Sequence, residues 1–417
     1  MKKSELRAAA RLTPEEWDTI EFEASQLFTP SLPLNENDLF AGRIREIKRL
    51  LGAVAEPGKH AVLFGEAGVG KTSLGKLLAG FFPHTKRNVF FIREQLDPTD
   101  DYASIWRKVF RDIHIETERN GRPAIATVAS FYEGAINPDD VRREFAAIFG
   151  PSDIPVIVID EFNKIRSSEV KGLVANTLKS LSDFGLNVTI IIVAVADDVI
   201  ELIDGHTSLP RCIEQIAMRR MNMAERKEIL EKRIPRLGMT IEDAAKIRIA
   251  QLSRGLPSYV HGLGLHCVYS AIGRQSLRII EADVDYALKR TLEKSDESIQ
   301  DGYAEAIQSN RSDSLYEEVL LACALAYTDD RGFFTPLSVC KPLTNILGRD
   351  KSVPISTFQG HLKKFITSDR SAILDRRGRE RSYRFRFKDP MMQPYVIMKG
   401  VENGHVKADV IDALFSE

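Results

Sequence analysis

The chain has 417 residues and a formal net charge of −1, with 43% hydrophobic and 28% charged residues. These values are typical of a globular protein of about two to four domains, and they exclude disordered and fibrous chains. No apolar run approaches a membrane span, the start MKKSELRAAARL lacks the apolar core of a secretory signal, and the four cysteines are widely spaced. We therefore expect a cytoplasmic protein that makes no membrane contact.

The N-terminal segment, residues 1–36, is predicted to form a helix followed by irregular chain that contains two prolines. A second helical pattern, DLFAGRIREIKRLLGAV, begins at residue 38. It leads through Pro57-Gly58 into the apolar run AVLF at residues 61–64, which is a predicted strand.

The most specific motif is GEAGVGKT at residues 65–72, which lies between this strand and a pattern of helical spacing. Glycines allow backbone N–H groups to surround phosphate oxygens. In such a loop Lys71 reaches the β- and γ-phosphates, and the Thr72 hydroxyl is a ligand of Mg²⁺. We predict a nucleoside triphosphate site formed by a phosphate loop of nine residues: Gly65, Glu66, Ala67, Gly68, Val69, Gly70, Lys71, Thr72 and Ser73.

Further apolar runs are predicted to be strands of a parallel sheet buried on both faces, because their apolar residues are continuous rather than alternating. Helical patterns separate these runs, so the sequence predicts an α/β fold. The predicted strands cover residues 88–92, 155–159, 188–195 and about 213–218.

Two carboxylates, Asp160 and Glu161, end the buried apolar strand PVIVI. Carboxylates are costly to bury unless a metal–nucleotide complex compensates for them. We predict that Asp160 holds Mg²⁺ opposite Thr72 and that Glu161 orients and deprotonates the attacking water. The adjacent glutamate favours hydrolysis over phosphoryl transfer, and a small-molecule kinase would leave Glu161 unexplained.

These motifs resemble those of the AAA+ ATPases, nearest to the initiator-type origin-recognition ATPases and their bacterial relatives. The resemblance covers roughly residues 28–300 and, more loosely, the C-terminal part. It implies a P-loop NTPase parallel sheet followed by an all-helical lid, with ATP and Mg²⁺ as cofactors and assembly into a homo-oligomer. In that branch the segment matching DLFAGR contacts adenine, which implies that Phe40 and Arg43 lie near the base; a core phenylalanine and a surface arginine are the alternative.

The same resemblance implies roles for two residues beyond the Asp160–Glu161 pair. The strand VTIIIVAVADD resembles the sensor-1 strand, with Asp197 at the sensor position. Arg211 stands where the family has its arginine finger, which stabilises charge on the nucleotide of a neighbouring subunit. A surface ion pair is the alternative for Arg211.

The helical region from residue 223 resembles the AAA+ lid, but Ser258 stands where the sensor-2 arginine is expected. Arg254 is a candidate substitute. The tripeptide GLP at residues 255–257 also resembles the Gly-x-Pro element of STAND signalling ATPases, which implies that Pro257 contacts the nucleotide.

The C-terminal pattern, helices followed by two short strands, predicts a small α+β winged-helix domain. Residues 341–390 hold 13 Lys and Arg but 5 Asp and Glu, so this region is basic within an otherwise acidic chain. Gln359 and Lys363 are predicted on the outer face of the third helix, where they fit a major groove. Arginines on the wing are predicted to contact phosphates or a minor groove: Arg376, Arg377, Arg379, Arg381 and Arg384.

Two functions remain open. The first is an ATP-hydrolysing AAA+ switch that binds double-stranded DNA through the winged helix and recruits or regulates a partner protein. The second is a STAND-like signalling or defence ATPase whose winged helix mediates autoinhibition or protein docking. The predicted domains are an extension (1–36), a nucleotide-binding α/β domain (37–222), a helical lid (223–295), a linker (296–313), a winged helix (314–400) and a tail (401–417).

Overall fold

The computed structural model describes residues 12–29, 41–81, 88–119, 122–196, 209–309, 314–379 and 382–406. The predicted site residues Phe40, Asp197 and Arg381 lie outside these ranges. None of the described helices has the length and apolar character needed to cross a membrane.

The strands form one large sheet and three small two-stranded sheets. The large sheet is parallel and has the order β2-β5-β6-β1-β7, as the continuous apolar runs predicted. In chain order the strands are β1 (His60–Gly65), β2 (Asn88–Gln95), β3 (His114–Arg119), β4 (Arg122–Thr127), β5 (Asp153–Asp160), β6 (Thr189–Val195), β7 (Ile213–Ala217), β8 (Thr240–Ile241), β9 (Arg278–Ile279), β10 (Leu374–Arg377) and β11 (Arg384–Phe387).

The large sheet is buried on both faces. On β5, Val156 and Val158 belong to one hydrophobic core, whereas Ile157 and Ile159 belong to the other. The two cores arise because successive side chains of a strand point to opposite faces. Burial of all four residues explains why β5 shows no polar alternation.

Helices cover both faces of this sheet. The helices are α1 (Pro14–Leu27), α2 (Ile44–Ala55), α3 (Lys71–Leu77), α4 (Tyr102–Arg111), α5 (Pro138–Ile148), α6 (Ser168–Asp183), α7 (Met223–Arg233), α8 (Asp243–Leu252), α9 (Pro257–Gly273), α10 (Glu281–Glu293), α11 (Glu297–Ile307), α12 (Tyr316–Leu325), α13 (Pro336–Ile346), α14 (Ile355–Phe365) and α15 (Met392–Glu402). The aromatic side chains of Tyr102, Trp106 and Phe110 in α4 are buried, and Asn137 caps α5 with Pro138 at its first position. The hairpin β3–β4 was not predicted.

The C-terminal part, from α12 to α15, has the winged-helix order of three helices followed by the antiparallel hairpin β10–β11. A β-bridge between Phe334 and Phe385 ties the hairpin to the chain before α13. Phe358, Leu362 and Phe365 of α14 face the core. We call residues 314–406 the winged-helix part.

The predicted linker, residues 296–313, contains helix α11. The sequence of this segment is polar overall, and a linker was predicted for that reason. Ile299, Tyr303 and Ala306 nevertheless recur at helical spacing, and all three are buried. Tyr303 also packs edge-on against Tyr395 of α15, with ring centroids 5.5 Å apart. The helix therefore packs against the winged-helix part instead of spanning open solvent.

Candidate nucleotide site

The phosphate loop, residues 65–73, joins the carboxyl end of β1 to α3. Gly68 and Gly70 have φ angles of +77° and +93°, in the left-handed region that side chains disfavour. The Nζ atom of Lys71 donates to the carbonyl oxygens of Gly65 at 2.9 Å and Glu66 at 2.6 Å. The lysine is thereby held inside the curve of the loop.

Lys71 is buried, and desolvation lowers its pKa to about 8 although nearby carboxylates favour the charged form. In order of effect, these are the carboxylates of Glu161, Asp160 and Glu66. The lysine and the two acids predicted from separate motifs therefore share one electrostatic environment. An incoming phosphate adds negative charge beside Lys71 and favours its protonated form.

Asp160 ends β5 and is almost completely buried. One of its oxygens, Oδ1, accepts the backbone N–H of Glu161 at 2.9 Å. The other, Oδ2, lies 2.6 Å from Nη2 of Arg93 on β2. Glu161 itself has a left-handed φ of 61°, and its carboxylate lies 3.7 Å from Nζ of Lys164.

The oxygen atoms available as metal ligands at this site fit Mg²⁺ bound together with a nucleotide, rather than a metal ion held by protein side chains alone. Among the residues that the structure describes, no three His, Cys, Asp or Glu side chains are grouped as metal ligands. Magnesium keeps several waters and uses one or two carboxylates together with substrate phosphates. The Asp160 carboxylate and the Thr72 hydroxyl, both at the carboxyl edge of the sheet, are the oxygen ligands that fit it.

Arg43, which was predicted to lie near the base, contacts Val69 of the phosphate loop. Its guanidinium is buried and donates to the carbonyl oxygens of Val69, at 3.2 Å, and of Arg219. Burial lowers the pKa of Arg43, while Glu225 and Glu46 oppose that shift. Pro257 begins α9 close to the loop, since a Cβ placed on Gly70 would lie 3.8 Å from its Cγ.

The winged-helix part reaches the phosphate loop at the start of α15. A Cβ placed on Gly68 would lie 3.1 Å from Sδ of Met391. Ser258 donates to the same sulfur at 3.6 Å, and the hydroxyl of Tyr259 donates to the Met391 carbonyl at 2.7 Å. Met391 thus lies between the loop and the first turn of α9.

A second connection runs through Arg220. Its Nε lies 2.6 Å from Oε2 of Glu66, and its Nη1 donates to Oε1 of Gln393. Gln393 is buried and also donates to the Ala324 carbonyl of α12 at 2.8 Å. Gly332, in the loop before the bridge, fits against Glu66 so closely that a Cβ there would collide with Oε1.

The two other predicted arginines are Arg211 and Arg254. Arg211 is exposed and precedes β7, whose first residue pairs with His60 at the opposite end of β1 from the loop. Its backbone carbonyl accepts from Lys59 at 3.3 Å. Arg254, the candidate substitute for Ser258, donates to the Ala326 carbonyl of the winged-helix part at 3.0 Å.

The described residues predicted to contact DNA are exposed: Gln359, Lys363, Arg376, Arg377, Arg379 and Arg384. Arg376 lies over the ring of Tyr383 at 4.4 Å, and Arg384 pairs with Asp329 at 3.3 Å. Arg377 also lines a cavity of about 810 Å³ that reaches Gly65 and Glu66 of the phosphate loop. One wing arginine therefore faces the nucleotide side of the molecule.

Comparison with known proteins assigns the family. Residues 32–257, more than half of the chain, match the family model described as Novel STAND NTPase 1. The chain belongs to this STAND NTPase family. It is therefore a nucleoside triphosphatase, and the matched range contains the phosphate loop, Asp160, Glu161 and Pro257. No curated protein matches this STAND NTPase.

Solved structures similar to the STAND NTPase share its fold at low sequence identity. A Walker-type ATPase of Pyrococcus abyssi is 16% identical with a TM-score of 0.51, over 89% of this chain and 99% of that one. The ORC2 protein of Aeropyrum pernix, solved as ADPNP–ADP complexes, is 14% identical with a TM-score of 0.48, over 94% and 98% of the two chains. The likeness to the Walker-type ATPase concerns the fold, a parallel P-loop sheet followed by helices and by a C-terminal part with the winged-helix order.

Proposed function

We propose that this STAND NTPase is an ATP-hydrolysing switch whose winged-helix part docks on the phosphate loop and restrains nucleotide exchange. The observation that carries the proposal is the seating of Met391 against Gly68 and Ser258. A residue in that position borders the loop that is proposed to surround the phosphates. Of the two functions left open by the sequence, this contact supports autoinhibition.

The residues around the loop supply the chemistry of hydrolysis. Lys71 and the loop N–H groups bind the phosphates, and Glu161 orients and deprotonates water. Thr72 and Asp160 would hold Mg²⁺, which neutralises charge on the phosphates when bound. Arg43, Val69 and Pro257 border the proposed adenine site.

Docking reaches the loop through buried polar contacts as well as through Met391. Glu66 is ion-paired with Arg220, and Arg220 donates to Gln393 of α15. If α15 moves away, Arg220 loses the Gln393 oxygen as a hydrogen-bond acceptor, and leaving a buried polar group unsatisfied is costly. Movement of α15 away from the loop would therefore also disturb Glu66, the second residue of the phosphate motif.

The test loosens the contact between the winged-helix part and Glu66 of the phosphate loop. Gly332→Ala places a Cβ against Glu66, whereas Gly404→Ala imposes the same backbone strain, at the same φ of +76°, in open space. We expect Gly332→Ala to speed release of a fluorescent ADP analogue about tenfold relative to Gly404→Ala, because the contact with Glu66 is lost. Equal release rates in the two variants would contradict docking as the restraint.

Binding of double-stranded DNA is a second candidate function, supported by the exposure of Lys363 and Arg376 on α14 and the wing. If these cations contact phosphates, affinity for duplex DNA falls steeply between about 50 and 200 mM salt. Replacing both with Ala should then weaken binding and reduce the salt dependence. Absence of binding at low salt would remove this candidate while leaving the docking proposal intact.

A further inference from the structure

Arg93 lies on β2, the edge strand of the large sheet that pairs with β5. On the neighbouring strand its register partner is Val158, two residues before Asp160. Residues two apart on a strand share a face, so Arg93 and Asp160 lie on the same side of the sheet as Val158. That side faces α3, because a Cβ placed on Gly75 would lie 3.5 Å from Val158.

The contact between Arg93 and Asp160 uses an oxygen at the proposed metal position. Nη2 of Arg93 lies 2.6 Å from Oδ2 of Asp160, and the other oxygen accepts the Glu161 N–H. The Asp160 side chain is 3% exposed, whereas the Arg93 side chain is 25% exposed. The guanidinium therefore has a route to solvent, but the carboxylate does not.

We propose that Arg93 is a positioning residue that competes with Mg²⁺ for the Asp160 carboxylate, an inference that rests on the proposed magnesium-dependent function. Two cations that share one buried carboxylate repel each other strongly in a medium of low polarity. Arg93 keeps Asp160 compensated before metal binds, and it weakens metal binding for the same reason. Magnesium–nucleotide binding then displaces the Arg93 guanidinium from Oδ2.

The competition has a direct consequence for the metal dependence of nucleotide affinity. With Arg93 in place, Mg²⁺ must overcome the repulsion of a guanidinium before it gains the carboxylate. Without the guanidinium, Asp160 is a free anion beside the phosphates. We expect Arg93→Gln to lower the half-saturating Mg²⁺ concentration about tenfold. Arg93→Lys keeps a cation on the strand and should stay near the wild-type value.

The experiment measures binding of a fluorescent ADP analogue to the full chain as Mg²⁺ is raised from a chelated solution. Asp160→Asn is the companion variant and should require more Mg²⁺ than the wild type. Arg93→Met retains the apolar stem and repeats the test if Arg93→Gln does not fold. Melting curves report any loss of stability separately, since removing one partner of a buried pair is destabilising.

The possible outcomes distinguish failure of the proposed magnesium site from failure of the competition proposal. If wild-type nucleotide affinity does not depend on Mg²⁺ or on Asp160, the proposed magnesium site is wrong. If affinity depends on both, but Arg93→Gln and Arg93→Met leave the half-saturating Mg²⁺ unchanged, Arg93 only stabilises the fold and the competition proposal is overturned.

Discussion

Glu66 and Arg220 are ion-paired at 2.6 Å although 154 residues separate them in the chain. The pair joins the phosphate loop to the strand-to-lid connection, and its side chains are only 7% and 10% exposed. Through Gln393 the same arginine contacts the winged-helix part. A change in the loop is therefore communicated to two other parts of the molecule.

We expect Arg220→Met alone to lower the free energy of unfolding by about 3–5 kcal/mol, because Glu66 is left buried without a cation. The double variant Glu66→Gln with Arg220→Met should recover much of this loss. Urea unfolding of the wild type, the two single variants Glu66→Gln and Arg220→Met, and the double variant measures these values. Strictly additive losses would show that the two side chains do not interact.

Lys71 gives a pH dependence that is specific to the nucleotide-free protein. Its pKa is about 8 in the folded chain, below the ordinary value of 10.5, because burial disfavours the charge. Between these values the unfolded chain binds more protons, so this lysine makes stability rise with pH across that window. In urea unfolding at several pH values, Lys71→Met should lack this rise; Lys76→Met, exposed on α3, should retain it.

Glu161→Gln should separate binding from hydrolysis. Loss of the base is expected to reduce turnover about a hundredfold or more, while affinity for the nucleotide changes little. Phosphate release and equilibrium binding measure the two quantities. Glu169→Gln, an exposed glutamate at the start of α6, is the matched control. Full turnover by Glu161→Gln would remove this residue from the mechanism.

Arg211 cannot reach its own phosphate loop from the opposite end of β1, so its predicted role requires a second subunit. Arg211→Ala and Lys71→Ala should each be inactive, with a loss of about a thousandfold for the arginine. A mixture should regain activity, since an intact loop can then meet an intact Arg211. Retained turnover by Arg211→Ala alone would make it a surface residue.

The parts of the site that the sequence predicted are local in the chain. The phosphate loop lies between a strand and a helix that are adjacent to it in the sequence. Asp160 and Glu161 stand at the end of a buried strand. Each motif therefore carries its own structural context. The packing side of α14 was predictable for the same reason, because helical spacing determines which residues face inward.

The missed residues act across long sequence separations. Arg220 and Gln393 are 173 residues apart, and their contact depends on how the winged-helix part docks. The sequence around Arg220 gives no sign of a contact with Gln393, and the sequence around Gln393 gives no sign of a contact with Arg220. Asn163, whose side chain accepts the Val195 N–H at 2.9 Å, joins the Asp160 turn to β6 in the same way. Arg93 was the detectable exception, since a charge near the end of an apolar strand already requires a partner.

Helix α9 begins at Pro257, beside Gly70, and one turn later contacts the N-terminal region. There the Thr29 N–H donates to Nδ1 of His261 at 3.1 Å, and the His261 ring packs edge-on against Phe28. Four residues of an α-helix span about 6 Å. The segment that follows α1 and the phosphate loop are therefore connected through about one turn of α9.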